Sequence, residues 1–281
     1  MKTSGKVVAE TVAKIRDSKR FDIRSEHLPT WCPGCGYFGI HQGLSNAIQR
    51  LGLPHHEVVT VSGIGCAGRY PFFVNTYGLH TVHGRALPVA TGVKLANPDL
   101  TVFAVGGDGD GLAIGGGHLP HMSRRDLDVN YLLFDNSIYG LTKGQPSPSS
   151  PVGTKTKASP YGTVDAPLNA TLMALSYGAS FVARLFAGDP EGITEAILEG
   201  IAHKGFSFFH IYTTCLTFDK DFKTWDHLKE WVHPVPGDHD PSDLKRAIDH
   251  VLEDNFSTGI LYRREANERE PDAKELGSPS V

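Results

Sequence analysis

Short apolar runs alternate along this chain with stretches in which apolar residues recur every three to four positions. Runs rich in β-branched and aromatic residues occupy 58–62, 101–105, 129–134, 180–185 and 207–212. Each is nearly continuous in hydrophobicity, the pattern of a strand buried on both faces of a parallel sheet. Helix-length stretches lie between them at 36–51, 86–96, 114–125, 168–177 and 191–203. In the last, Ile193, Ala196, Ile197 and Ile201 form one stripe; Asp189-Pro190 supplies an N-cap and first-turn proline, and Gly205 follows the end. This alternation predicts βαβ units in a doubly wound, mostly parallel α/β sheet. Ligands on such sheets gather beyond the C-terminal ends of the strands, so the residues just after each strand matter most.

Two segments break the rhythm. Residues 144–167 hold five prolines and no aliphatic side chain larger than valine; a loop this long inside a compact domain predicts a functional or mobile element. Residues 263–275 pack nine charges into thirteen positions, which predicts a tail that is solvated or draped over a partner. With 27 basic against 31 acidic residues, the chain lacks the basic excess of a dedicated nucleic-acid binder. No apolar run approaches the roughly 18 residues of a spanning helix. The first twenty residues lack an apolar signal core, so a cytoplasmic location and no membrane association are expected.

The candidate chemistry sits after the strands. The glycine loop Gly63-Ile64-Gly65-Cys66-Ala67-Gly68 follows the first of them. It matches the dinucleotide fingerprint, yet no Asp or Glu occurs from 58 to 98 to bind a ribose. A turn that brings Cys66 beside another cofactor fits better. The second strand ends in Gly107-Asp108-Gly109-Asp110-Gly111 and the third in Asp135-Asn136-Ser137-Ile138. Neighbouring parallel strands would present Asp108 and Asn136 at one sheet edge, where a carboxylate, an amide oxygen and a backbone carbonyl suit Mg²⁺ chelated by a diphosphate. Ordinary Asx turns are the structural alternative; neither an EF-hand nor a Walker A pattern is present. The four cysteines, Cys32, Cys35, Cys66 and Cys215, are the number that closes a zinc site or a 4Fe–4S cluster.

Trp31-Cys32-Pro33-Gly34-Cys35-Gly36, Ser62-Gly63-Ile64-Gly65-Cys66, His83-Gly84-Arg85-Ala86, Gly107-Asp108-Gly109-Asp110 and Tyr139-Gly140-Leu141-Thr142-Lys143-Gly144-Gln145 occur in that order. Together they resemble the β subunits of the 2-oxoacid:ferredoxin oxidoreductases, especially the 2-oxoglutarate branch. The resemblance runs over 30–219, leaving 1–29 as an N-terminal extension and 220–281 as a C-terminal extension with a charged tail. One departure is Gly115-Gly116-Gly117-His118, where relatives often read Gly-Asn-His.

The resemblance implies a thiamine-diphosphate-binding fold. It implies Mg²⁺ held by Asp108, Asn136 and the Ile138 carbonyl, and cofactor contacts from Ile64, Gly65, Cys66, Ala67, His83, Gly109, Asp110, Gly140 and Leu141. It assigns the four cysteines to one 4Fe–4S cluster. The activity it implies is CoA-dependent oxidative decarboxylation of 2-oxoglutarate to succinyl-CoA, or the reverse carboxylation, with ferredoxin as electron carrier. An α subunit would supply the glutamate for the aminopyrimidine ring, in an αβ assembly that dimerises. Arg69, a planar carboxylate binder three residues after Cys66, is the candidate for the distal carboxylate of 2-oxoglutarate; Lys143 is a weaker one. His118 and His121 lie a turn apart but lack a supporting carboxylate for a metal pair. Pyruvate or another 2-oxoacid is the alternative substrate, and a zinc-stabilised binding module the alternative of another class.

Overall fold

A computed structural model of the chain describes residue 23 and residues 25–219 and 221–264. In chain order these form α1 (Tyr37–Leu51), β1 (Val58–Ser62), β2 (Tyr77–His80), α2 (Ala86–Ala96), β3 (Thr101–Gly107), α3 (Leu119–Arg125), β4 (Asn130–Asp135), β5 (Ile138–Tyr139) and β6 (Gln145–Pro146). There follow α4 (Ala170–Ser176), β7 (Phe181–Phe186), α5 (Pro190–His203), β8 (Ser207–Tyr212), α6 (Trp225–Trp231), β9 (His233–Pro234), α7 (Leu244–Glu253) and β10 (Ser257–Arg263). Eight strands make one sheet in the order β2-β1-β3-β4-β8-β7-β10-β9, and β5 pairs β6 in a small antiparallel ribbon. All pairs in the large sheet are parallel except β10 with β7.

The apolar strands are continuous in sequence because both sheet faces are covered. Phe103 and Val105 of β3 face one core with Ile40, Leu44 and Ile193 from α1 and α5. Val102 and Ala104 face the other with Leu87, Met122, Ala174 and Val251 from α2, α3, α4 and α7. Asp189 caps α5 as expected, its Oδ1 accepting from Gly192 N at 2.9 Å. The five expected strands all form.

The structure departs from or adds to the sequence reading at three places. The helix expected over 114–125 begins only at Leu119; a π turn at Gly109–Ile114 and a 3₁₀ turn at Gly116–His118 precede it. Three consecutive glycines at 115–117 disfavour a regular helix start. Second, part of the C-terminal extension joins the sheet: β10 pairs β7 antiparallel and places Leu261 in the core, while α7 covers the sheet. The hydrophobic pattern hides this strand because Gly259, at φ 141°, and a bulge between Ile260 and Tyr262 interrupt it. Third, the sheet gains an edge strand, β2, that the pattern does not signal because all four of its residues are exposed. Of the charged run, Arg263 pairs Glu199 at 3.0 Å and Arg264 pairs Asp126 at 3.1 Å; the rest, like most of 1–29, lies outside the described residues. Among the described residues no helix is long and apolar enough to cross a membrane.

Candidate functional site

β3 and β4 are parallel neighbours, with Gly107 opposite Phe134, so Asp108 and Asn136 leave the same sheet edge. Ser137 stands between Asn136 and Ile138 in the left-handed region at φ 56°, and its N–H donates to Asp135 Oδ1 at 2.9 Å. That turn lets Asn136 and Ile138 both line the cleft beyond the edge. Tyr37, at the start of α1, fixes the amide by accepting from Asn136 Nδ2 at 3.1 Å. Asp108 is buried, and its Oδ2 accepts the hydroxyls of Ser147 and Ser149, the latter at 2.9 Å. Burial, and then the neighbouring Asp135 carboxylate, push Asp108 up to about 7.

Asp110 has a different task. Its Oδ1 accepts from Ile64 N at 2.9 Å, Gly84 N at 2.8 Å and His83 Nδ1 at 2.6 Å. One carboxylate therefore ties together the loop after β1, the turn before α2 and the loop after β3. The residue borders the cleft, as a cofactor contact would, but this oxygen is committed to the protein. His83 is part-exposed on the cleft and bonded to Asp110 at once. Gly109 is required where it stands, since a Cβ would lie 2.2 Å from the Tyr139 ring, whose hydroxyl donates to Gly109 O.

The cleft and its open mouth together span about 620 Å³. Ile64, Gly65, Cys66 and Ala67 line it from the β1 loop, and Asp108, Gly109 and Asp110 from the β3 loop. Asn136, Ile138, Gly140 and Leu141 complete it from the β4 side. Every residue expected to hold the diphosphate or its metal thus borders one cleft.

A second cavity, of about 690 Å³, adjoins the first through Tyr37, Cys66, Asn136, Gly140 and Leu141. Cys32, Cys35, Cys66 and Cys215 all line it, from three separated loops. Trp31 braces one of these by donating its indole N–H to Cys66 O at 2.7 Å. A Cβ on Gly140 would come within 3.3 Å of Cys215 Sγ and 3.8 Å of Cys66 Sγ, so the loop that carries Gly140 passes close to two of the thiols. Burial pushes the Cys35 thiol up to about 12, and the other three thiols add to the shift. Burial and neighbouring thiols likewise raise Cys66, against which the Arg69 guanidinium works. Such a set favours thiolates only when a cation arrives. Among the described residues no three His, Cys, Asp or Glu already stand as metal ligands.

Arg69 and Lys143 line this cysteine cavity and not the cleft of Asp108 and Asn136. His118 and His121 lie in neither. Sequence reasoning misses the support beneath the ligands. Asp135, one residue before Asn136, accepts Lys223 Nζ at 2.8 Å on Oδ1 and His210 Nε2 at 2.8 Å on Oδ2. Burial alone would raise Asp135; Lys223 and His210 outweigh it and hold the carboxyl well below the usual range. The sequence signals this support only weakly, through a serine-rich loop and one of several lysines that follow Cys215.

Residues 63–211 match the family model of the thiamine pyrophosphate enzyme C-terminal TPP-binding domain. Residues 215–276 match the family model for the C-terminal part of the pyruvate ferredoxin oxidoreductase β subunit, a stretch that carries only Cys215 of the motifs above. The 2-oxoglutarate oxidoreductase subunit KorB of Mycobacterium tuberculosis is 46% identical over 198 residues, 70% of this chain and 53% of that protein; the chain spans about half of that relative. The 2-oxoacid:ferredoxin oxidoreductase subunit beta of a Sulfolobus species is 43% identical over 84% of this chain and 82% of its own length. A solved 2-oxoglutarate:ferredoxin oxidoreductase from Magnetococcus marinus, with 2-oxoglutarate, coenzyme A and succinyl-CoA bound, superposes with a TM-score of 0.86. It is 45% identical and covers 91% of this chain and 87% of that one.

Proposed function

Because the chain belongs to the β subunits of the 2-oxoacid:ferredoxin oxidoreductases, we propose that it carries the thiamine diphosphate, Mg²⁺ and 4Fe–4S sites of a cytoplasmic 2-oxoglutarate:ferredoxin oxidoreductase. One observation carries the reading: the cleft of Asp108 and Asn136 and the cavity of the four cysteines share a wall that includes Cys66 and Gly140.

The residues fit these groups. Both hydroxyl donors to Asp108 go to Oδ2, which leaves Oδ1 for a cation. A buried carboxylate raised by a second carboxylate gains from a divalent ion. The Asn136 amide oxygen and the Ile138 carbonyl supply the remaining hard oxygens, and Gly65 and Gly109 let the backbone approach a diphosphate. Four thiols around an open cavity fit a cluster better than a single zinc, which holds its sulfurs at about 2.3 Å from one centre. Bound here, thiamine diphosphate supplies the nucleophile and electron sink for decarboxylation, and the cluster carries the electrons onward singly.

The chain's own residues then divide the work. Asp110 holds the three cofactor loops in register, and Trp31 fixes the Cys66 loop between cofactor and cluster. Arg69 binds the distal carboxylate of the 2-oxoacid, with Lys143 beside it. The carboxylates on the cleft, Asp108 and Asp110, are both committed, so the glutamate for the aminopyrimidine comes from an α subunit in a dimerised αβ assembly. CoA and ferredoxin complete the reaction.

The test is anaerobic purification with whatever partner chain accompanies the protein, then CoA-dependent dye reduction across several 2-oxoacids. The reading expects iron and thiamine diphosphate in the complex and fastest turnover with 2-oxoglutarate. Zinc without iron would support a zinc-stabilised module instead, and full activity of the isolated chain would remove the α subunit from the site.

A further inference from the structure

We propose that Ser149, with Ser147 beside it, is a positioning residue that aims the Asp108 carboxylate at the divalent cation. The proline-rich stretch 144–167 is then a working part of the diphosphate site. The inference rests on the reading of that cleft as an Mg²⁺ site.

The geometry is specific. Ser149 Oγ lies 2.9 Å from Asp108 Oδ2 and 2.8 Å from Asp135 Oδ1, so it stands between two buried carboxylates. A hydroxyl has one proton to donate. Asp135 already takes the Lys223 ammonium, His210 and the Ser137 N–H, so the Ser149 proton is the one it can spare. Asp108 is less well supplied: the hydroxyls of Ser147 and Ser149 both donate to Oδ2. A carboxylate tied at one oxygen offers the other in a fixed direction, which is what a geometry-demanding cation needs.

The loop is built to hold those hydroxyls still. Ser147 N donates to Ser150 Oγ at 2.8 Å and Ser150 N to Ser147 O at 3.0 Å. Ser137 Oγ donates to Ser149 O at 3.0 Å, pinning the loop to the turn that carries Asn136. Pro146, Pro148 and Pro151 restrict the backbone around the serines. All three serines are buried. The loop that lacks a hydrophobic reason to be ordered is thus ordered by the metal site's own carboxylates.

The experiment uses the full chain in complex with its co-purified partner, stripped of Mg²⁺ and thiamine diphosphate by chelation. Thiamine diphosphate binding is titrated against Mg²⁺ by calorimetry, for wild type, Ser149→Ala, Ser147→Ala and Ser149→Thr. Hydrogen-bond partners of metal ligands typically tune affinity about 10- to 100-fold. Ser149→Ala and Ser147→Ala should therefore raise the half-saturating Mg²⁺ by roughly that factor, with binding restored at saturating Mg²⁺. Ser149→Thr, which keeps the hydroxyl, should stay near wild type. Ser147→Ala decides the matter should Ser149→Ala fail to fold, since Ser147 does not bridge to Asp135. A half-saturation unchanged within about twofold in the folded alanine variants, or equal loss in Ser149→Thr, overturns the inference. Wild type that binds thiamine diphosphate without any need for Mg²⁺ overturns the underlying site reading instead.

Discussion

Removing the Asp110 carboxylate should unfasten three loops at once. Its Oδ1 accepts two backbone N–H groups and the His83 ring, and the Asp110 side chain itself is only 2% exposed. A hydrogen bond to a charged group contributes about 1.5–3 kcal/mol. The two backbone bonds therefore account for roughly 3–6 kcal/mol, while the His83 bond, with its ring 40% exposed, adds less because solvent screens it. Asp110→Ala should lower stability by about 4 kcal/mol or more, a large part of the usual 5–15 kcal/mol. Asp110→Asn keeps an acceptor oxygen but not the charge, so each bond falls to about 0.5–1.5 kcal/mol and the loss shrinks to about 2–3 kcal/mol. Urea titration of the co-purified complex without cofactor, followed by far-ultraviolet dichroism, measures both. The order wild type, Asn, Ala is the signature, together with loss of thiamine diphosphate binding in the alanine variant. A loss below about 1 kcal/mol for Asp110→Ala would refute the clamp, because no single charged bond of that kind is so weak.

Other perturbations test other parts. Arg69→Ala should cut kcat/KM for 2-oxoglutarate by about 10-fold or more while sparing pyruvate, since a bidentate carboxylate contact is lost only by the dicarboxylate; an unchanged preference between the two removes Arg69 from substrate binding. An anaerobic preparation should be brown and carry about four irons per chain, and Cys35→Ser should lose colour and iron together; a colourless wild type with one zinc contradicts the cluster. Burial pushes His203 and His41 down to about 4 from the ordinary 6.5. The unfolded chain then binds more protons than the folded one between those values, so stability is full above about pH 6.5 and falls as pH drops toward 4. At about 1.4 kcal/mol per unit, discounted for partial exposure, each histidine contributes roughly 1–3 kcal/mol across that window. His203→Gln should flatten the slope in denaturation curves taken at several pH values, and an equal slope in the variant refutes the assignment.

The legible part of this fold is the part whose burial is symmetric. β1, β3, β4, β7 and β8 are covered on both faces, so nearly every residue is apolar and the run announces itself. β2 and β10 lie toward the sheet's two ends, where one side or part of a face meets solvent, and their sequences carry polar residues and glycines that look like loop. α7 carries a regular amphipathic stripe, Leu244, Ala247, Ile248, Val251 and Leu252, that the sequence reading passes over; only Ala247 and Val251 of it are buried. Legibility thus follows position in the sheet and not importance to the fold, because the β10–β7 pairing closes one end of the core.

The site divides along a similar line. Residues that would touch the ligands follow strands directly, and a parallel sheet delivers all such positions to one edge; Asp108 and Asn136 could be paired from strand order alone. The residues beneath them arrive from elsewhere: Ser147 and Ser149 from a proline-rich loop, Lys223 from beyond Cys215, His210 from inside β8. Nothing in their spacing relates them to Asp108, because their contact depends on where the chain turns back after it has left the sheet. That dependence has an energetic side. Asp135 is a buried anion that only Lys223 matches with a full charge, and Lys223 comes from a segment outside the cofactor-binding domain's own strands and helices. Replacing Lys223 by methionine would leave that anion uncompensated, a change that costs about 3–5 kcal/mol in buried pairs, and would loosen Ser149 and Asn136 in the same stroke. The C-terminal segment is therefore a structural support of the Asp108–Asn136 cleft, reached by one buried ammonium group.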